Sequence, residues 1–513
     1  MQNDNAYMGE QKVGKLLAKF SVPCMLALLV SALYNIVDQI FIGNSSVGMY
    51  GIAATTVVFP ITVIGQAFAY LCGDGTAAFM AISEGEDEGV MTPETRKGSK
   101  LSKAVAGTLS LTVIFSVIII AVAFPLKEPI LYLLGASENT IGYAVDYFNI
   151  IVAFFPAFML MNMLNAVVRA DGSPRYAMAA SLTGAILNII LDPIFIFACG
   201  WGIKGAAWAT VTGQVVSFVL CIIYLFRSRM FRLSFKAFIP DFRLIWKCIR
   251  LGISSFINQI AIDIMAISLN MLLSSYGAMS VYGEDIPIAA IGIETKVFTI
   301  VLNIFAGLVL GGQPILGYNY GARKFDRVRS CYKLILLWTL IVGAAATILI
   351  ESIPQYILAA FGTSTDSSGY DQSLYIEYGK YTLRIFLALV ICNGVTKISG
   401  VVFQALGKPG KAMAVALVRD IVAFIPLVIL IPYISEMYNP GSGVVSLLYA
   451  GPAADFIGCV LTAILTVFIF RGLKKEEAAY KRSLELKEKF TQQAGAPQAQ
   501  DTAEETAEIN GIQ

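Results

Sequence analysis

Runs of about twenty apolar residues recur along the whole chain, and nothing else in the sequence constrains the fold as strongly. The stretches 109–124, 334–350 and 414–431 reach or approach that length. About twenty residues of helix match the hydrocarbon thickness of a bilayer. Inside lipid only a helix or a closed barrel satisfies its own backbone polar groups. Composition agrees: 57% of the 513 residues are hydrophobic and 14% charged, against about a quarter charged in soluble domains. An all-α integral membrane protein is expected, with the lipid bilayer as its main surroundings.

Twelve spans are expected, at about 15–42, 49–82, 103–124, 141–168, 175–199, 204–226, 249–275, 287–317, 332–360, 375–404, 411–434 and 443–470. Cytoplasmic loops are enriched in Lys and Arg. Seven segments carry such residues: Lys12, Lys15 and Lys19; Arg96 to Lys103; Arg169 and Arg175; the region 227–250; the region 323–333; Lys408 and Lys411; and the tail 471–489. Together they hold 30 of the 37 basic residues, and the twelve-span scheme puts all of them on one side. Both termini are therefore expected in the cytoplasm of a cell whose cytoplasmic membrane holds the protein. The expected divisions are a tail at 1–11, a first lobe at 12–236, a second at 237–472 and a tail at 473–513. Residues 474–490 suit an amphipathic or solvated helix, and 494–513 are expected to be disordered.

A formal net charge of +2 suggests no nucleic-acid partner. The eight cysteines sit mostly inside apolar runs without CxxC spacing and read as small core residues. The absence of histidine argues against a zinc centre or a histidine proton relay. No GxxxxGK[ST] loop is present for ATP, and no nucleophile, base or metal cluster marks an enzyme.

The two halves of the chain resemble each other. Residues 165–178, Asn-Ala-Val-Val-Arg-Ala-Asp-Gly-Ser-Pro-Arg-Tyr-Ala-Met, lie over 400–413, Gly-Val-Val-Phe-Gln-Ala-Leu-Gly-Lys-Pro-Gly-Lys-Ala-Met, with six of fourteen identical at an offset of 235. The Ile-Ala-Ala of 52–54 lies over that of 288–290, and Gly75 and Gly85 over Gly311 and Gly321, at an offset of 236. Each match alone is weak; their common offset implies two pseudo-symmetric six-helix bundles of equal topology, joined by the basic linker.

Ionisable groups deep in a span are functional candidates by default. Asn35 and Asp38 in the first span are three apart and share a helix face. Asn188 and Asp192 in the fifth are four apart and precede Pro193, and the sixth offers Thr210, Thr212 and Gln214. Two carboxylates with amides and hydroxyls form a hard-oxygen environment suited to a small monovalent cation, or to a carboxylate pair sharing a proton. Asp38 and Asp192 also admit a structural role at helix ends or against Arg. The second half lacks the cluster, since Ala423 and Leu427 stand at the positions aligned with Asn188 and Asp192. It scatters Asp263, Glu294, Lys296, Lys397 and the pair Arg419 and Asp420 instead. Asp263 and Glu294 suit either a cationic substrate or structural pairing with these bases. The Gly- and Pro-rich segment 311–322 suggests a bent, closely packed helix, and its Gln313 joins Asp263 and Glu294 as a cavity candidate. Asp74, in Cys-Gly-Asp-Gly, receives no role from the sequence.

These segments together resemble the multidrug and toxic compound extrusion (MATE) transporters, over about residues 12–470. The resemblance is carried by Lys-Leu-Leu-Ala-Lys-Phe-Ser-Val-Pro at 15–23, Tyr-Asn-Ile-Val-Asp-Gln-Ile-Phe-Ile-Gly at 34–43, Ala-Asp-Gly-Ser-Pro at 170–174, Asn-Ile-Ile-Leu-Asp-Pro at 188–193 and Gly-Gln-Pro-Ile-Leu-Gly-Tyr-Asn-Tyr-Gly-Ala at 312–322. It implies a secondary active antiporter, without enzyme activity or cofactor, that exports organic and often cationic or amphipathic compounds in exchange for Na⁺ or H⁺. It also implies a cation site at Asp38, Asn188, Asp192 and Thr210, with Na⁺ held at the first three. Small organic substrates are the expected partners and a monomer the expected state. A flippase or exporter of lipid-linked or glycan-type substrates is the alternative, and it predicts a strongly basic central cavity.

Overall fold

The computed structural model describes residues 7–45, 47–86, 100–228, 230–232, 235–283, 285–360 and 372–494. These form helices α1 (Tyr7–Glu10), α2 (Val13–Gly43), α3 (Gly48–Glu86), α4 (Lys100–Ala123), α5 (Lys127–Leu133), α6 (Ile141–Ala153), α7 (Phe155–Ala170), α8 (Pro174–Pro193) and α9 (Gly202–Leu225) in the first half. The second half has α10 (Phe242–Ala278), α11 (Asp285–Gly321), α12 (Phe325–Ser352), α13 (Pro354–Ala360), α14 (Gln372–Tyr381), α15 (Val390–Ala405), α16 (Pro409–Leu417), α17 (Phe424–Tyr438), α18 (Gly443–Ser446) and α19 (Ala450–Ala494). No strand occurs among the described residues. The chain divides into two compact units, Met1–Ile464 and Leu465–Gln513, and the division falls within α19. Residues 495–513, expected to be disordered, lie outside the described residues, as do Arg96 and Lys97 of the second basic loop.

Ten helices are long and apolar enough to cross a bilayer, and two bent pairs bring the spans to twelve if each pair is one span. The pairs are α6 with α7, bent by 54°, and Ser373–Phe386 with α15, bent by 48°. They occupy matching places: α7 and α15 begin and end 235 residues apart. Pro156 lies in the first turn of α7, where its missing N–H costs nothing. Just beyond, Gly172 and Gly407 adopt φ of +83° and +67°, a left-handed turn that a side chain disfavours. Pro174 and Pro409 then open the next helices. The shared Gly-x-Pro of the repeat is thus a helix stop followed by a helix start.

The halves meet through the N-terminal parts of α2 and α10 and the C-terminal parts of α3 and α11, at the end carrying the basic segments. Here the helix axes approach so closely that only glycine fits. A Cβ on Gly85 would overlap the Tyr318 carbonyl oxygen, and one on Gly321 would overlap that of Ile82. Residues 82 and 318 are themselves related by the offset of 236, so the contact is reciprocal, as across a two-fold axis. Gly75 and Gly252 meet in the same way between α3 and α10, and Gly307 and Gly311 admit Met25 and Ser21 of α2. The repeat glycines Gly75, Gly85, Gly311 and Gly321 therefore all belong to the seam between the halves.

Candidate functional site

A cavity of about 510 Å³ opens between the halves, lined by α2, α3, α7, α8 and α9 on one side and α10, α11, α15 and α16 on the other. Its walls are rich in side-chain amides, among them Asn35, Asn162, Gln214, Asn258, Asn303 and Gln404. Beside it, three helices bring the oxygen cluster together. Asp38 comes from α2, Asn188 and Asp192 from one face of α8, and Thr210 from α9. The i, i+4 spacing on α8 stacks Asn188 over Asp192, and Asn188 Nδ2 donates to Asp192 Oδ1 at 3.2 Å and to Thr210 Oγ1 at 3.4 Å. The carboxyls of Asp38 and Asp192 are close enough to act on each other.

All three of Asp38, Asn188 and Asp192 are buried, at 7%, 2% and 0% exposure. Asp38 Oδ1, Asn188 Oδ1 and Asp192 Oδ2 have no hydrogen-bond partner among the described residues. Buried polar atoms are nearly always paired, so each exception needs an explanation. Three orphaned buried oxygens on two packed helices leave acceptor capacity that a hard, oxygen-seeking ion or a carboxyl proton could fill. Immediately after Asp192 the helix widens into a π-turn at Ile194–Ala198; Pro193 has no N–H to offer the regular ladder, and such bulges often mark functional sites.

Asn35 stands apart from this cluster. It is exposed to the cavity and donates to the Ser31 carbonyl of its own helix at 2.9 Å. Tyr147 on α6, which the sequence did not single out, does belong: it is buried, beside Thr210 and close to Asp38, Asp192 and Tyr34. A tyrosine in an apolar span carries no signal of its own; only the packing of α6 against α9 reveals it.

The second half holds a buried ion network. Arg419 Nη1 lies 2.6 Å from Asp420 Oδ1, and Arg419 Nη2 lies 2.6 Å from Asp455 Oδ1. Lys397 Nζ lies 2.7 Å from Asp420 Oδ2 and donates to Asn258 Oδ1 at 3.0 Å. Asn393 Nδ2 adds a 2.9 Å hydrogen bond to Asp455. Glu294 is buried beside this network, with Oε1 lacking a partner among the described residues. Gln313 is buried on α11 and Asp263 half-buried on α10. None of Asp263, Glu294 and Gln313 is among the residues lining the cavity. No group of three or more His, Cys, Asp or Glu that could hold a metal ion occurs among the described residues.

Ten to twelve apolar spans among the described residues, in two like halves with a cavity between them and a buried acid cluster beside it, define a multi-pass membrane transporter, not an enzyme. The MatE family model matches residues 23–194 and 255–430, one stretch in each half. Multidrug export protein MepA of Staphylococcus aureus (strain MRSA252) is 25% identical over 473 residues, covering 92% of this chain and 97% of the relative. MepA of Staphylococcus saprophyticus is 26% identical over 466 residues, covering 91% and 96%. The fold is shared with the outward-facing conformation of a multidrug resistance MATE family transporter of the MOP superfamily, at TM-score 0.80 and 20% identity over 93% of this chain and 100% of the other. A MOP superfamily transporter from Pyrococcus furiosus, described as having a binding pocket of reverse polarity, matches at TM-score 0.80 and 20% identity over 92% and 99%. The chain belongs to the MatE family of transporters.

Proposed function

We propose that the protein is a secondary active antiporter of the cytoplasmic membrane, exporting organic compounds in exchange for Na⁺ or H⁺ by alternating access. Multidrug export by the staphylococcal relatives supports the substrate class. The observation that carries the ion coupling is that Asp38, Asn188 and Asp192 are all buried and each keeps a side-chain oxygen without a hydrogen-bond partner among the described residues. In this reading Asp38 and Asp192 supply the charge, Asn188 and Thr210 complete the oxygen set, and Tyr147 packs beside Thr210. Asn35 belongs to the cavity wall.

A ligand shifts a conformational equilibrium only through unequal affinity for its states. The cation and the organic compound therefore favour opposite arrangements of the halves about the glycine seam. With both termini cytoplasmic, as the basic loops imply, the seam closes the cytoplasmic entrance. Uptake of one positive charge draws about 2.3 kcal/mol per 100 mV from the membrane potential. A flippase for lipid-linked or glycan-type substrates is not favoured: the bases reaching the cavity, Arg169, Lys397 and Arg419, each face an acid. Efflux from proteoliposomes under a Na⁺ gradient and, separately, a pH gradient tests the proposal. Export driven by neither gradient, or equal in the absence of both, defeats it.

A further inference from the structure

Asp74 remained without a role in the sequence, and its surroundings supply one. Gln66, Tyr70 and Asp74 are four residues apart on α3 and form one stripe along the cavity wall. Asp74 is the one carboxylate among the described residues that line the cavity, beside three bases, Arg169, Lys397 and Arg419. Two of these bases are tightly matched: Lys397 by Asp420 at 2.7 Å, and Arg419 by Asp420 and Asp455 at 2.6 Å each.

Asp74 is not matched in that way. Arg169 Nη2 stops 3.8 Å from its Oδ1, beyond hydrogen-bonding distance, while Arg169 Nη1 donates to Asn165 Oδ1 at 2.7 Å. The nearby Ser255 hydroxyl donates to Gln404 Oε1 at 3.2 Å, and its one proton serves a single acceptor at a time. An ionised carboxylate has about four acceptor sites, so this buried anion keeps capacity for a further cation. Tyr70, one turn earlier, has its hydroxyl fixed by Gln66 Nε2 at 2.6 Å. A carboxylate with an aromatic ring on the same wall is the combination that holds an organic ammonium or phosphonium group.

We propose that Asp74 sets the charge selectivity of the cavity, accepting the positive group of an organic monocation on the side away from Arg169, with Tyr70 beside it. The assignment rests on the reading of this cavity as the export site. Arg169 then acts as a brake, offsetting part of the Asp74 charge without closing on it. Asp38 and Asp192 do not line the cavity, so selection of the substrate's charge and binding of the coupling ion fall to different acids.

The test is equilibrium binding to the purified full-length protein in detergent, which needs no gradient and stands whether or not ion coupling does. The probes are tetraphenylphosphonium, a permanent monocation, and triphenylphosphine oxide, a neutral analogue. Asp74→Asn should weaken the phosphonium at least tenfold and leave the oxide within twofold. Arg169→Gln, which keeps Asp74, should bind the phosphonium several-fold more tightly, and it remains decisive if Asp74→Asn fails to fold. A purely structural Asp74–Arg169 pair would instead weaken both probes in both variants. That result, or unchanged phosphonium binding in Asp74→Asn or Arg169→Gln, overturns the proposal.

Discussion

Replacing Gly85 by alanine should open the seam between the halves, and the cost follows from the contacts there. The added Cβ would lie 2.7 Å from the Ala322 nitrogen as well as overlapping the Tyr318 carbonyl oxygen. Ordinary carbon contacts begin at about 3.5 Å, so the Ala322 contact alone requires α3 and α11 to part by ~0.8 Å, and the closer Tyr318 oxygen requires more. The obstacle is backbone and cannot swing aside, and overpacking of this kind costs about 1–3 kcal/mol. Borne by the closed state alone, that penalty lowers its population relative to the open state by about 5- to 150-fold. Gly321→Ala meets the Glu86 nitrogen at 2.8 Å and should behave alike, since the contact is reciprocal. Gly292→Ala is the control: it sits within α11 with nothing within 4 Å of its Cβ. There alanine should stabilise the helix by up to about 1 kcal/mol. Distances between spin labels on the seam ends of α3 and α11 would report the populations. If Gly85→Ala and Gly292→Ala gave the same distance distribution, the seam would not be the closing contact.

Other consequences can be checked directly. Asp192→Asn removes one of the two charges in the oxygen cluster and should lower cation affinity by a hundredfold or more, of the order that loss of a buried charge partner implies (about 3–5 kcal/mol), in an ion-binding titration. Tyr147→Phe removes a buried hydroxyl beside Thr210 and should cost about 0.5–1.5 kcal/mol, a two- to tenfold loss in the same titration. Arg419→Met leaves Asp420 and Asp455 without their shared partner and should destabilise the protein by about 3–5 kcal/mol in a thermal unfolding assay. Removing all four charges of the network as Arg419→Met, Lys397→Met, Asp420→Asn and Asp455→Asn should recover much of that loss.

Much of the fold was legible because lipid allows so few alternatives. The spans came from apolar length, and the repeat came from the offset of glycines and prolines that later proved to be turn and seam positions. The acid cluster was legible on α2 and α8 because helical spacing puts its members on shared faces. Its closure needed three dimensions: Asp38 meets Asp192 across 154 residues of sequence, and Tyr147 is an ordinary span residue until α6 packs beside α9. Arg169 was read as one of the basic loop residues. It ends α7, yet its guanidinium turns back to the cavity wall, 15% exposed, which no residue count reveals. Arg419 and Asp420 were visible as adjacent letters, whereas Asp455 and Asn393 joined them only through packing. The bends in the fourth and tenth spans also escaped, because an unbroken apolar run looks the same straight or kinked.

The most direct test of the account is the ion flux that accompanies export. Proteoliposomes holding the wild-type protein, Asp38→Asn or Asp192→Asn would be loaded with tetraphenylphosphonium, with Na⁺ and H⁺ movements followed as the phosphonium leaves. The account predicts counter-movement of one of these ions in the wild type, and loss of both fluxes in each variant while phosphonium binding persists. Wild-type rates of ion-coupled export in either variant would contradict it.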